Sequence, residues 1–269
     1  MKNKKSKIRW IIIVVATVFI VSTSVKLGLM LSENFNNNES SSEKRSLNKK
    51  EETKDFVINY TEETYKLDSD KKVAVENRRT IPTISSGKYP VAANKIAVYL
   101  KQSSESKWNE LKSAADSYEK NNTDTVGVDY IISNVEQNDL YFSFKTITTG
   151  TIGESKWDEE RVYSFNTKTG DILSIKDIAS DEIGLRKAIY NLIVDYMDKQ
   201  DYAKELDSDW KTRVSKEIIT EGNWYLSNDG INYVFATYTY GPGHIGKIKY
   251  TVKYKDINNY LANEYKKNA

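Results

Sequence analysis

The longest run of hydrophobic positions lies near the N-terminus. Residues 10–31 are apolar except for Lys26 and a few small or hydroxyl-bearing residues, and five basic residues but no acid precede them. A bilayer-spanning helix needs about 20 apolar residues, and a lysine near its end can reach the interface. By the positive-inside rule we predict a cytoplasmic stub at 1–9, a transmembrane helix at 10–31, and an extracellular remainder held at the cell membrane by a single pass.

The alternative for this segment is a cleaved signal peptide, with Ser22 and Ser24 as a small-residue cleavage site. The hydrophobic core is long and the cleavage site is poor, which favours the retained anchor. In both cases we expect residues 32–269 to be exported. Residues 32–55 are polar, with one Phe and one Leu, and therefore predict a flexible linker.

Shorter periodic segments follow the linker. Apolar residues at helical spacing after Pro90 predict one long helix, or two helices separated at 103–106. A second helix is predicted after Ser180 as its N-cap. Strict alternation of apolar and polar residues, as in 140–145 and 247–254, predicts half-buried strands. Asp229-Gly230 is a favoured pair for the centre of a hairpin turn, because both residues tolerate positive φ.

The order of these elements indicates the fold class. Strands, a helix, strands, helices, strands and a last helix do not alternate as they do in a parallel α/β protein. We predict an α+β fold with antiparallel sheets packed against helices. Two α+β modules are expected, at 56–175 and 176–265.

The composition of the chain limits the chemistry and the kinds of binding partner that can be expected. The chain has no cysteine, which excludes disulfides and thiolate chemistry. Six of its 40 basic residues and none of its 38 acids precede Ser32, which leaves an exported part of 34 basic and 38 acidic residues, net −4. The positive charge is thus a topology signal, so we expect no nucleic-acid binding. A mildly acidic exterior would steer a basic partner.

The sequence offers little for catalysis. His244 is the only histidine, and no G-x-S-x-G segment exists. Zinc hydrolysis usually needs at least two histidines. The segment "GPGHIG" lacks the Lys-Ser/Thr pair of a phosphate loop, and it is expected to link two strands instead of opening a helix. The acids of 158–160 favour a solvated loop over a catalytic carboxylate pair. We therefore predict no catalytic residue, no metal site and no cofactor.

The C-terminal segment is rich in aromatic residues. Residues 224–260 contain seven Tyr, one Trp and one Phe. A core role explains many of them, but tyrosines leading into a rigid turn are also good binding anchors. His244 itself is better explained as a surface turn residue than as a base. The candidate binding residues are Trp224, Tyr238, Tyr240, Pro242, His244 and Gly246.

This segment also carries a resemblance. "NWYLSNDGINYVFATYTYGPGHIGKIKYTVKYKDINNYL" resembles the C-terminal module of the extracytoplasmic domain of membrane-spanning, lysozyme-sensing anti-sigma factors, a domain also found fused to peptidoglycan deacetylases. The matching features are the aromatic strand, Asp229-Gly230, Tyr238, Pro242 and Gly246. A looser resemblance, including "IPTISSGKYPVAANKIAVYL", extends it to about 73–262.

The resemblance implies an α+β ectodomain that binds lysozyme at the cell envelope. We expect neither sigma-factor binding nor deacetylation, because residues 1–9 are too few for the first and metal-binding histidines are absent for the second. The leading hypothesis is a non-enzymatic binding protein for lysozyme or another muramidase. One alternative is a peptidoglycan- or carbohydrate-binding module in which Trp224, Tyr238 and Tyr240 stack on sugars. The other is a carboxylate-based hydrolase.

Overall fold

The computed structural model describes residues 42–52, 56–68, 74–119, 126–152 and 155–266. These residues form an α+β fold, as the sequence predicts. A six-stranded sheet has the order β1 (Ser42–Glu52), β2 (Val57–Asp68), β3 (Ala74–Ser85), β4 (Val126–Gln137), β5 (Tyr141–Ile152) and β6 (Ser155–Asn166). A three-stranded sheet has the order β7 (Trp224–Leu226), β8 (Gly230–Phe235) and β9 (Ile248–Lys253). The α-helices are α1 (Pro90–Glu119), α2 (Glu182–Asp198), α3 (Trp210–Glu217) and α4 (Tyr254–Ile257).

The larger sheet departs from the predicted antiparallel pairing at one place. Strands β3 and β4 pair in parallel, and all other adjacent strands pair antiparallel. The reason is the connection, because α1 crosses over the sheet and returns the chain to the same end. Strand β1 also lies inside the segment predicted as a linker. Its pairing with β2 is made by backbone groups, so an edge strand of polar sequence can form there.

The first hydrophobic core lies between α1 and the larger sheet. Pro90 is the first helical residue, as predicted, and α1 is one continuous helix of 30 residues rather than two. Its buried face packs on β2, β3, β5 and β6 through a cluster of aromatic and aliphatic residues that includes Phe56, Ile58, Ile84, Ile96, Leu100, Phe142, Phe144 and Phe165. The aromatic rings make stacked and edge-to-face pairs, such as Phe142 with Phe144 at 4.6 Å between centroids.

The second core lies between α2 and the smaller sheet. Leu185, Ile189, Ile193 and Met197 recur every four residues along α2 and are all buried. They pack with side chains of β7, β8 and β9 that include Leu226, Ile231, Tyr233, Phe235 and Val252. The cap of α2 is one residue later than predicted: the Asp181 side chain, not that of Ser180, accepts the hydrogen bond from the Gly184 N–H at 2.9 Å.

The β7–β8 turn also differs from its prediction by one residue. Leu226 pairs with Ile231, and the Ser227 N–H donates to the Gly230 carbonyl at 2.9 Å, so Asn228 and Asp229 are the central residues. Gly230 is not needed for positive φ. It is needed because a Cβ there would overlap the carbonyl oxygen of Val252 on β9.

The two sheets meet at β6 and β7. The Val162 N–H donates to the Gly222 carbonyl at 2.9 Å, and Val162 and Asn223 form a parallel bridge. Ser164 on β6 accepts a hydrogen bond from the Leu226 N–H at 2.8 Å. Ser143 on β5 donates to the Leu226 carbonyl, also at 2.8 Å. Buried serines therefore connect the larger sheet to the backbone of the smaller one.

Within the described ranges, no helix has the length and apolar character needed to cross a membrane. The predicted stub (1–9) and transmembrane helix (10–31) lie outside those ranges, as do residues 32–41 and 53–55 of the predicted linker. The division into modules at 56–175 and 176–265 stays a prediction.

Candidate binding surface

The connection between β8 and β9 forms an irregular turn, residues 236–247, which we call the tyrosine turn. Tyr238 stands at its tip with 67% of its surface exposed and a φ of 70°. This left-handed backbone is costly for a bulky residue. The turn then passes through one 3₁₀ turn, Gly243–Ile245, and reverses at Gly246, whose φ is 74°. The Tyr238 ring is therefore presented outward on a backbone that the rest of the turn must hold.

The ring of Tyr238 rests on the backbone of Gly243. A Cβ at Gly243 would overlap atoms of that ring. Gly243 itself has no positive φ, so its role is to allow this close approach rather than an unusual backbone. The exposed aromatic side chain is thus supported from below while its other face stays accessible.

Two of the predicted binding residues belong to the core instead of the surface. Trp224 and Tyr240 expose only 4% and 1% of their surfaces. The Tyr240 ring packs edge-on against Phe235, with 5.1 Å between centroids. Trp224 on β7 and Tyr240 within the tyrosine turn therefore both belong to the second core. Of the other predicted binding residues, Tyr238, Pro242 and His244 are exposed, and Gly246 is half-buried.

The structure places an acid beside His244, which the sequence did not reveal. The imidazole Nε2 lies 2.7 Å from Oε2 of Glu205, and both side chains are exposed. Glu205 ends a 3₁₀ turn, Asp201–Glu205, that lies distant in sequence. No local pattern around His244 could have indicated this pairing, because it depends on how the turn docks.

Arg213 fixes the tyrosine turn to the segment before α3. One guanidinium nitrogen donates to the Thr239 carbonyl at 2.6 Å, and the other lies 2.5 Å from Asp207 and 3.0 Å from Asp209. Burial lowers the pKa of Arg213, but Asp207 and Asp209 outweigh this effect and the net pKa is raised. The Asp207 N–H also donates to the Tyr240 carbonyl at 2.9 Å. Contacts to the carbonyls of Thr239 and Tyr240 therefore hold the tyrosine turn against α3 and the segment before it.

An acidic rim borders this surface. We use that name for four exposed carboxylates, Asp201, Glu205, Asp207 and Asp209. Arg213 neutralises part of their charge through Asp207 and Asp209. The exposed tyrosine, the proline and the rim together form a surface suited to contacting a protein with basic side chains.

A concave feature, unlike the protruding tyrosine turn, lies beside the smaller sheet. We call it the polar groove: its volume is about 240 Å³, and its lining includes Tyr225, Asn232, Val234, Lys249, Thr251 and, from the larger sheet, Glu160. Tyr225, Asn232 and Thr251 are paired in register across β7, β8 and β9, so they form one row. Burial raises the pKa of Tyr225, and the charges of Glu160 and Glu136 raise it further. The Tyr225 hydroxyl therefore keeps its proton.

The acids of 158–160 do not form the solvated loop that the sequence favours. They lie on β6 and pair with basic residues: Glu160 with Lys249 at 2.8 Å, Glu159 with Arg161 at 2.9 Å, and Asp158 with Lys247. Burial opposes ionisation of Glu159 and Glu160, but the neighbouring cations outweigh it and lower the pKa of both. Both carboxyl groups are therefore ionised rather than poised as proton donors.

In the part of the chain that the structure describes, no group of three or more His, Cys, Asp or Glu side chains is placed to hold a metal ion.

The fold and these two surfaces define an α+β protein with one protruding aromatic turn and one shallow polar groove. Residues 176–255 match the family described as a protein of unknown function, DUF3298. No curated protein matches the chain.

Two solved structures are similar to the chain. A DUF3298 family protein from Pseudomonas aeruginosa PAO1 is 9% identical, with a TM-score of 0.49 over 84% of this chain and 94% of that one. A DUF3298 family member from Bacteroides fragilis NCTC 9343 is 14% identical, with a TM-score of 0.49 over 84% of this chain and 96% of that one.

Proposed function

We propose that this chain is a membrane-anchored, extracytoplasmic binding protein of the bacterial envelope. It has no catalytic role, and its tyrosine turn binds lysozyme or a similar muramidase. The observation that carries the proposal is the exposed ring of Tyr238, which a left-handed backbone and Gly243 hold in place.

Preorganisation is what makes this ring a good anchor. A rigid aromatic side chain at an interface loses little conformational entropy on binding and contributes a large contact area. Pro242 and His244 stand beside it, and the contact with Glu205 orients the imidazole. The acidic rim adds attraction for a basic partner. Lysozyme is the first candidate because it is the ligand of the anti-sigma-factor domains that residues 73–262 resemble.

The two alternatives have less support. Sugar stacking on Trp224 and Tyr240 conflicts with their burial, which leaves Tyr238 alone of the three exposed. A carboxylate-based hydrolase needs one acid with a raised pKa beside an ionised one. Glu159 and Glu160 both have lowered pKa values, which favours a structural role for them.

The test is binding of lysozyme to the full-length chain in detergent micelles, by titration calorimetry at physiological salt. We expect binding in the micromolar range or tighter and a loss of about tenfold or more with Tyr238→Ala, the size expected for a hot-spot residue. Tyr225→Ala removes a tyrosine from the polar groove instead and should change the affinity less than about twofold. No heat of binding at about 100 µM lysozyme would overturn the lysozyme assignment.

A second variant tests the support of the ring without removing it. Gly243→Ala places a Cβ where the Tyr238 ring lies, so the ring must move. We expect this variant to weaken lysozyme binding by about as much as Tyr238→Ala. The matched control is Gly87→Ala, because nothing lies within 4 Å of a Cβ there. Undiminished binding by Gly243→Ala would show that the held position of the ring does not matter.

A further inference from the structure

The polar groove takes no part in the function proposed above, yet its residues are arranged as a recognition surface. Tyr225, Asn232 and Thr251 stand side by side on three neighbouring strands. Val234 and Lys249 form the next pair on the same face of β8 and β9. The groove thus has an aromatic end, a polar row and an apolar patch within one small concavity.

Tyr225 is the aromatic group of this groove that is placed to meet a ligand. Two other tyrosines border the groove but are engaged elsewhere: Tyr233 is buried and donates its hydroxyl to the Ile218 carbonyl at 3.2 Å, and the Tyr250 ring packs on Tyr196 at 4.6 Å. The half-buried Tyr225 therefore supplies the ring.

The polar row is held in one arrangement by its own hydrogen bonds. Thr251 donates its hydroxyl to Oδ1 of Asn232 at 2.6 Å, and Nδ2 of Asn232 donates to the Ser227 hydroxyl at 2.7 Å. Each of these groups keeps hydrogen-bonding capacity beyond these contacts, since a hydroxyl or amide oxygen has two lone pairs. The row can therefore bind hydroxyl groups without first reorganising.

The charges around the groove balance. Glu160 is almost fully buried and lies 2.8 Å from Lys249 and 3.4 Å from Lys247, while Lys247 also contacts Asp158. Glu136 acts on Tyr225 and Lys145 acts on Glu160, which adds one further charge of each sign, so three carboxylates are balanced by three ammonium groups. A charged ligand would have to displace one of these partners, whereas an uncharged polar ligand would not.

We propose that the polar groove binds one pyranose unit of a neutral glycan. The Tyr225 ring contacts the C–H face of the sugar, and Asn232, Thr251 and Lys249 hydrogen-bond to its hydroxyls. A sugar combines an apolar face with a ring of hydroxyls, which matches an aromatic side chain beside a polar row. The volume of about 240 Å³ is below the roughly 300–1,000 Å³ of typical small-molecule pockets, so it suits one sugar ring rather than a long ligand.

The experiment is saturation-transfer NMR and a titration of the full-length chain in detergent micelles with three probes. Chitotriose and cellotriose are neutral and differ in the acetamido group, and inorganic phosphate is a charged control. We expect millimolar binding of at least one glycan, unchanged by salt, and none of phosphate. If both glycans bind, the sugar hydroxyls are sufficient for recognition. If only chitotriose binds, the groove also recognises the acetamido group.

Matched variants assign the site. Tyr225→Ala should weaken glycan binding about three- to tenfold, and Thr251→Val, which removes one hydroxyl, should weaken it similarly. Tyr225→Phe keeps the ring and should stay within about threefold, which controls for folding. Tyr238→Ala changes the tyrosine turn and should leave glycan binding unchanged. The proposal is overturned if neither glycan binds, if phosphate binds instead, or if Tyr225→Ala binds like the unmodified chain.

The two proposals fail separately. If Tyr238→Ala loses lysozyme binding but keeps glycan binding, and Tyr225→Ala does the reverse, both proposals are supported, because each variant then affects one surface. A chain that binds glycan but not lysozyme would retain the groove assignment and lose the proposed function.

Discussion

Tyr238 is the one non-glycine residue, among those that the structure describes, with a left-handed backbone. For an L-residue this conformation costs about 1–2 kcal/mol. A sequence selected for stability alone would place glycine or asparagine there. A large, exposed aromatic side chain at such a position indicates that the ring itself has a role, since strained residues tend to occur at functional sites.

The strain at Tyr238 can be measured with two substitutions. Tyr238→Ala keeps the penalty for positive φ and Tyr238→Gly removes it, so we expect the glycine variant to be more stable by about 1 kcal/mol. The measurement is the free energy of unfolding in urea.

Asn59 provides the reference position, because it is exposed in the interior of β2 and has no positive φ. There the order should reverse, with alanine more stable than glycine by about 0.5–1 kcal/mol. Equal stability of the two Tyr238 variants would mean that the backbone is not strained.

Sequence reasoning at this scale identified the turn but not the exposure of its residues. Tyr238 and Tyr240 look alike in the sequence, yet one is exposed and the other is buried against Phe235. Strand alternation would place both on one face, because they are two residues apart, and the positive φ at Tyr238 breaks that alternation. Glu205 was missed because its contact with His244 depends on the tertiary fold.

At the scale of elements, strand β6 and the start of β9 are joined by charges. Glu160 on β6 pairs with Lys249 on β9 and with Lys247 just before it. Each lysine alternates with an apolar residue that faces the second core, namely Ile248 or Tyr250. The same alternation that buries one face of β9 therefore places its lysines where the carboxylates of the larger sheet can meet them.

This pairing predicts a pH dependence of stability. The lysines lower the pKa of folded Glu160 below its ordinary value of 4.5, so the folded state binds the proton less readily than the unfolded chain. The stabilisation is therefore complete above that ordinary value and is lost as the pH falls through the lowered pKa. We expect Glu160→Gln to reduce the free energy of unfolding at about pH 6.5 and to have a smaller effect at about pH 3.

Glu264→Gln is the control for this experiment, because Glu264 is exposed near the C-terminus. Its effect should stay within about 0.5 kcal/mol at both pH values. If Glu160→Gln lowers stability equally at both, the lost interaction is packing or a neutral hydrogen bond and not the ion pair.

Elements with strong periodicity were predicted well, and pairings that depend on topology were not. The apolar stripe of α2 and the alternation of β9 follow directly from local geometry. The parallel pairing of β3 with β4 and the addition of β1 at the edge depend on backbone hydrogen bonds between distant segments. Backbone groups are the same in every residue, so the side-chain pattern carries no signal for such pairings.

At the scale of the whole molecule, the two sheets share a buried polar junction. Ser164 accepts from the Leu226 N–H and is hydrogen-bonded to Ser143, which donates to the Leu226 carbonyl. Tyr141 of the larger sheet also belongs to the core that α2 and the smaller sheet form. A strand of the larger sheet thus supplies contacts to the core of the smaller one, so the smaller sheet does not complete its core alone.

This shared junction predicts one cooperative unfolding transition. Separation of the sheets would leave the Leu226 N–H and carbonyl without their serine partners, so we expect Ser164→Ala to lower the free energy of unfolding by about 1–3 kcal/mol. Far-ultraviolet circular dichroism and tryptophan fluorescence should give the same midpoint in the unmodified chain and in the variant. Ser180→Ala, at an exposed serine, should have little effect. Two separated midpoints in the unmodified chain would instead mean that the segments predicted as modules, 56–175 and 176–265, unfold independently, and that the serine contacts contribute little to holding them together.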